Sequence, residues 1–195
     1  KMNHNTNSIT RNNDDTEVIC MGRIRKDKGI EDFIKLANNL SESDRISLVL
    51  MGNMDTSDDY LRKIVCKANE DNLFTWVSFN YDNLENLRSS DVLLLCSKHE
   101  GMPTVIIEAM ANSVIPISAN IPVINELINM GAKIYSYKSG DIESLYKKLK
   151  EIQQLSLKER QIIIQSNHKF ARKNFDKDNI ANIQYKYLSE LGRIQ

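Results

Sequence analysis

The sequence lacks any long apolar run. No stretch approaches the roughly 18 residues of a membrane helix, and no signal-peptide pattern opens it, so a soluble, cytoplasmic chain is expected. It also lacks a charge of one sign, with 26 Lys and Arg against 26 Asp and Glu. That balance argues against nucleic acid or a bulk anionic surface as partner, because both select for basic excess. The local basic segments, Lys147-Lys148 and residues 169–173, fall in helical patterns and read as solvated faces. Cysteine is scarce and odd in number: Cys20, Cys66 and Cys96. No metal-ligand spacing links them, and Cys20 and Cys96 sit inside apolar strand patterns, as reduced core thiols would. There are no internal repeats and no low-complexity segment beyond residues 1–16, whose Asn, Thr, Ser and Asp read as a tail or interdomain linker.

What is present is a regular alternation. The 195 residues suffice for one substantial α/β core or slightly more. Short apolar runs at 17–21, 46–51, 75–79, 91–95, 115–118 and 132–135 read as strands. Amphipathic patterns at 29–40, 58–70, 84–88, 103–112, 122–130 and 142–154 read as the helices between them. Two more helices are expected at 157–175 and 177–191, the last with Ile180, Ile183, Tyr187, Leu188 and Leu191 on one stripe. This order predicts an α/β fold with a doubly wound, parallel, Rossmann-like sheet and right-handed crossovers. The domain is expected to run from residue 17 to 195, with terminal helices over 157–192.

Two loops carry the chemistry. The first strand pattern ends in Gly22-Arg23-Ile24-Arg25-Lys26-Asp27-Lys28-Gly29. The glycines of a dinucleotide fingerprint or of a Walker A loop are missing, so a phosphate here would be held by the Arg23 and Lys28 cations. The strand Val92-Leu93-Leu94-Leu95 leads into Ser97-Lys98-His99-Glu100-Gly101-Met102-Pro103-Thr104-Val105-Ile106-Ile107-Glu108, in which two carboxylates bracket a helix start at Pro103. Ligands of open α/β sheets bind at the carboxyl ends of strands, beside helix N-termini. Carboxylates accept from hydroxyls and free backbone N–H groups face anions, so the pattern suits a ligand with many hydroxyls near a phosphate. A general acid/base role for the two carboxylates is less apt, because no third group stands by to polarise a water.

These segments, Gly-Arg-x4-Lys-Gly and Glu-x7-Glu, resemble the C-terminal, donor-binding half of retaining glycosyltransferases of the GT-B fold, the group 1 or family 4-like enzymes. The similarity runs from about residue 17 to 155. It implies a nucleotide sugar, a UDP-sugar, as donor and a glycan or lipid-linked molecule as acceptor, as in polysaccharide biosynthesis. It implies that Arg23 and Lys28 neutralise the diphosphate and that Glu100 contacts the transferred sugar, these three being the catalytic candidates. It also implies donor contacts from Gly22, Gly101, Met102, Pro103, Thr104 and Val105, a base-lining loop at 77–81 that includes Asn80, and Glu108 on the ribose hydroxyls. No metal and no other cofactor is implied. The family's acceptor domain and its histidine are not supplied by these residues; His4, His99 and His168 do not replace them. This chain alone is therefore expected to be inactive, and the full-length enzyme is placed in the cytoplasm or at the inner face of the membrane. Two rivals share the architecture: half of a UDP-sugar epimerase, and a non-catalytic nucleotide-sugar or partner-binding module. The Gly-Arg-x4-Lys-Gly segment favours transfer over the first, and retention of Arg23, Lys28, Glu100 and Glu108 argues against the second.

Overall fold

A computed structural model describes residues 15–54, 58–79 and 85–176. Six short strands, β1 Thr16–Met21, β2 Ile46–Met51, β3 Thr75–Val77, β4 Val92–Leu95, β5 Ile115–Ala119 and β6 Tyr135–Tyr137, form one sheet in the order β3-β2-β1-β4-β5-β6. Every neighbouring pair is parallel. The central strands β1, β4 and β5 are buried on both sides, which is why they read as continuous apolar runs rather than as alternating patterns, while the edge strands β3 and β6 are partly exposed.

Strand pleating sends alternate residues to opposite faces. Val18, Cys20, Leu48, Leu50, Leu94 and Ile117 pack with α1 (Ile30–Asn39), α2 (Asp59–Glu70) and α6 (Ile142–Gln154), through Phe33, Leu36, Leu61, Val65, Leu145 and Leu149. Ile19, Met21, Val49, Met51, Leu93 and Leu95 pack with α3 (Glu85–Ser89), α4 (Thr104–Ala111), α5 (Pro122–Asn129) and α7 (Leu157–Phe175), through Leu87, Ile106, Met110, Ile124, Leu127 and Phe170. The chain runs outward from β1 to β3, then returns to the other side of β1 as β4. The crevice of the fold therefore opens beyond the carboxyl ends of β1 and β4. Among the described residues no helix is long and apolar enough to cross a membrane.

Several sequence-based boundaries move. Thr16, assigned to the tail, begins β1: it lies opposite Ile46, and its N–H donates to the Arg45 carbonyl. Residues 1–14 lie outside the described residues, as does the helix expected at 177–191. The last strand begins at Tyr135, not at 132, because the preceding backbone is engaged elsewhere. Ala132 N–H closes the end of α5 on the Leu127 carbonyl, and the buried Asn167 amide takes both the N–H (2.8 Å) and the carbonyl (2.9 Å) of Lys133. Strand β3 stops at Val77, and the Phe79 N–H donates to the Asn53 side chain instead of continuing the ladder. Pro103 caps α4 rather than starting it, with φ −79° and ψ 75°.

One contact fixes the crevice. Gly29 has φ +63°, and a Cβ built there would sit 2.0 Å from the Cys96 carbonyl oxygen. The β1–α1 loop thus lies flush on the end of β4, and the Lys98 N–H reinforces it by donating to the Asp27 carbonyl at 3.1 Å. Gly29→Ala combines a left-handed backbone with a backbone clash, so we expect it to cost about 2–4 kcal/mol in denaturant unfolding. Gly101→Ala, where a Cβ meets nothing within 4 Å, should stay within about 0.5 kcal/mol of the parent.

Candidate functional site

The carboxyl ends of β1 and β4 and the start of α4 enclose a cleft of ≈ 160 Å³. Gly22 and Arg23 follow β1 directly, and Lys28 ends a 3₁₀ turn, Lys26–Lys28, whose C-cap is Gly29. From the other side come Glu100, Met102, Pro103, Thr104 and Val105, so eight of the residues singled out in the sequence line one cleft. Gly101 lies in the same loop. Glu108 is one turn further along α4, and Asn80 lies outside the described residues.

The cations differ in state. Arg23 is exposed, and its side chain makes no hydrogen bond or ion pair among the described residues. Lys28 is engaged: its Nζ lies 2.7 Å from Glu100 Oε1, and the two side chains are only 21% and 14% exposed. Nothing in the sequence signals this pair, because its members are 72 positions apart on different loops. The backbone donors at the α4 start are also unequal. Thr104 N–H donates to the Met102 carbonyl at 2.9 Å, and Ile106 N–H to that of Pro103 at 2.9 Å. The N–H groups of Gly101 and Met102, in the loop before α4, and of Val105, in its first turn, have no such partner among the described residues; of these Val105 is a donor that a helix start offers to an anion. Glu108 is exposed at its surface and its carboxylate is unpaired among the described residues, yet neighbouring protein displaces part of its hydration and raises its pKa above the ordinary 4.5.

Two features of the site were not legible in the sequence, and a third, the expected core thiols Cys20 and Cys96, gains a place in it. Ser97 is fully buried, lines the cleft, and leaves its Oγ without a hydrogen-bond partner among the described residues. Asn53 joins the loop after β2 to the loop after β3: its Oδ1 accepts from Phe79 N–H at 3.1 Å, and its Nδ2 reaches the Phe79 carbonyl at 3.4 Å. The cleft floor is a pair of buried thiols, Cys20 and Cys96. Their mutual hydrogen bond, together with burial, pushes the Cys96 thiol well up, so it is a packing group and not a nucleophile. Behind them the Tyr137 hydroxyl donates to Asp32 at 3.2 Å, with burial pushing the Tyr137 pKa far up. His99 is exposed beside Glu100, and His168 is far along α7, bonded to Ser113 Oγ at 3.1 Å.

Residues 2–170 match the family described as "Glycosyl transferases group 1". The chain belongs to this glycosyltransferase family. Its fold agrees with solved structures. HepE of Anabaena in complex with UDP superposes with a TM-score of 0.78 at 20% identity, over 91% of this chain and 49% of that one. Sucrose-phosphate synthase of Thermosynechococcus elongatus gives 0.77 at 20% identity, over 93% and 47%. The C-terminal domain of the glycosyl transferase group 1 protein LpcC of Francisella tularensis gives 0.68 at 23% identity, over 83% and 87%. This glycosyltransferase chain thus spans about half the length of the first two and most of the third. No functionally curated protein matches it significantly.

The geometry predicts an unusual titration for Glu108. A carboxylic acid with a raised folded pKa favours folding below its unfolded pKa, and that contribution is lost as pH rises through the folded value. Glu108 should therefore titrate above 4.5 when followed by side-chain carbon NMR. Glu108→Gln should be neutral to slightly stabilising at pH 7, measured by thermal unfolding.

Proposed function

We propose that this chain is the donor-binding domain of a retaining glycosyltransferase that moves a sugar from a UDP-sugar to a glycan or lipid-linked acceptor. The observation that carries this reading is the convergence of Arg23, Lys28, Glu100 and the unpaired N–H groups of Met102 and Val105 on one cleft at the point where the strand order reverses. The companion structures of HepE with UDP and with UDP-glucose are consistent with it. Arg23 and Val105 N–H bind the diphosphate, Glu108 accepts from the ribose hydroxyls, and Glu100 accepts from hydroxyls of the sugar. Departure of a nucleoside diphosphate develops negative charge, which Arg23 and Lys28 are placed to stabilise as preorganised cations. The acceptor site lies in a further domain, and the chain alone turns over poorly or not at all. Peripheral association of the complete enzyme with a membrane fits a lipid-linked acceptor.

Calorimetric titration with UDP tests the reading, and absence of binding would sink it. Arg23→Ala removes a charge-assisted bond worth about 1.5–3 kcal/mol, or roughly ten- to a hundredfold in affinity. The loss should shrink at high salt because Arg23 is exposed. Glu108→Ala should weaken UDP but leave inorganic pyrophosphate unaffected. Two cations, Arg23 and Lys28, supply the positive charge at the cleft. Titrations with chelator and with Mg²⁺ should therefore coincide; strict metal dependence would contradict the metal-free element of the proposal.

A further inference from the structure

The ion pair between Lys28 and Glu100 joins two residues that the proposed function assigns to different groups of the donor. We propose that Glu100 is a specificity-determining residue that makes the site favour an intact nucleotide sugar over the free nucleoside diphosphate; this rests on the donor-binding reading above.

The frame comes first. Gly29 pressed on the Cys96 carbonyl, and Lys98 N–H on the Asp27 carbonyl, hold the two loops in fixed relation. Glu100 therefore projects from a loop anchored two residues before it, on the side of the cleft that carries Lys28. Its carboxylate is largely sheltered from water and draws a short bond, 2.7 Å, from Lys28 Nζ. A diphosphate entering beside Arg23 competes for that ammonium. With UDP alone, Lys28 turns to the phosphate, and Glu100 is left sheltered, without a donor, and facing an anion. Both consequences oppose binding: loss of a hydrogen-bonded partner, and like-charge repulsion in a site screened less than bulk water. A nucleotide sugar carries its own remedy. Its hydroxyls, placed next to the terminal phosphate, donate to the carboxylate as Lys28 leaves, so the bond is exchanged rather than lost. The repulsion is also weaker, because esterification by the sugar leaves the terminal phosphate with less negative charge than it has in UDP. Glu100 thus discriminates by penalising the product of transfer, an instance of selection against the wrong ligand. The same penalty favours departure of the diphosphate once the sugar has gone.

Glu100→Gln separates this from a structural role, since it keeps size and acceptor capacity while removing the charge. UDP and UDP-glucose are titrated calorimetrically into the parent chain, Glu100→Gln and Lys28→Gln, with thermal unfolding as a check on folding. We expect Glu100→Gln to bind UDP on the order of tenfold tighter than the parent and UDP-glucose no tighter, so that the preference for UDP-glucose shrinks about tenfold. Inorganic pyrophosphate should follow UDP, and Lys28→Gln should weaken all three ligands. Glu100→Ala gives the same direction for UDP and serves in place of the glutamine variant where that one does not fold. If UDP binds the parent but no Glu100 variant binds it more tightly, the discrimination is overturned while the donor-binding reading stands. If the parent binds neither UDP nor UDP-glucose, both fall together.

Discussion

The junction of β1 and β4 is the constraint on which the rest of the crevice depends. Two parallel strands that are adjacent in the sheet but far apart in sequence end side by side, and each leads into a loop and a helix on opposite faces. The loops can meet only if one backbone comes within contact distance of the other. Gly29 permits that, because its left-handed φ turns the chain into α1 and its missing Cβ leaves room for the Cys96 carbonyl. Gly52 allows the same kind of approach at the neighbouring strand, where a Cβ would lie 1.9 Å from the Gly22 carbonyl oxygen. The two close approaches bring three strand ends into one rim, and the Ile24–Met54 bridge extends the pairing beyond the strands themselves. The geometry of the cations follows, since Arg23 and Lys28 sit on the loop that Gly29 closes.

Much of this was readable because burial on both faces leaves a strong mark. β2, α6 and α7 fall at the residues that periodicity gives, and the apolar run Val92–Leu95 marks the strand on which the second loop is built. Both loops stood out because glycine, proline and charge follow apolar runs there. Most of the displaced strand ends have backbone groups claimed by partners outside the sheet ladder. Residues 132 and 133 look like a strand until the end of α5 takes the Ala132 N–H and Asn167 takes the polar groups of Lys133. Phe79 looks like the end of a strand until Asn53 takes its N–H. Thr16 looks like tail until Arg45 accepts from it. The Lys28–Glu100 pair is illegible for the same reason: a contact between residues on different loops leaves no local pattern.

The polar groups of the interior sort by whether they are satisfied. At the amino end of the sheet, buried Glu17 accepts from Ser90 Oγ at 2.8 Å, and its N–H donates to Asp91. Between the sheet and α1, buried Asp32 accepts from the Tyr137 hydroxyl, from Ser139 Oγ at 3.4 Å and from Gly140 N–H at 2.9 Å. Such satisfied carboxylates hold loops in place at little cost and offer nothing to a ligand.

The opposite condition holds at the carboxyl end. The two buried side-chain oxygens without a hydrogen bond among the described residues are Ser97 Oγ, which lines the cleft, and Glu31 Oε2, in the turn of α1 that follows Gly29. Arg23, Glu108 and several N–H groups of the α4 start are likewise unpaired there. Whereas exposed Arg23 and Glu108 are left to solvent or a ligand, unsatisfied polarity that is buried, as at Ser97 and Glu31, costs folding free energy. Its concentration at one end of a sheet otherwise well satisfied identifies the place where the fold is shaped for something other than its own stability. Lys28 and Glu100 stand between these conditions, because each satisfies the other with a bond that a ligand carrying both an anion and hydroxyls can replace at both ends. An ammonium and a carboxylate facing one cleft separate it from a generic anion site at a helix start, which has only the cation and the N–H groups.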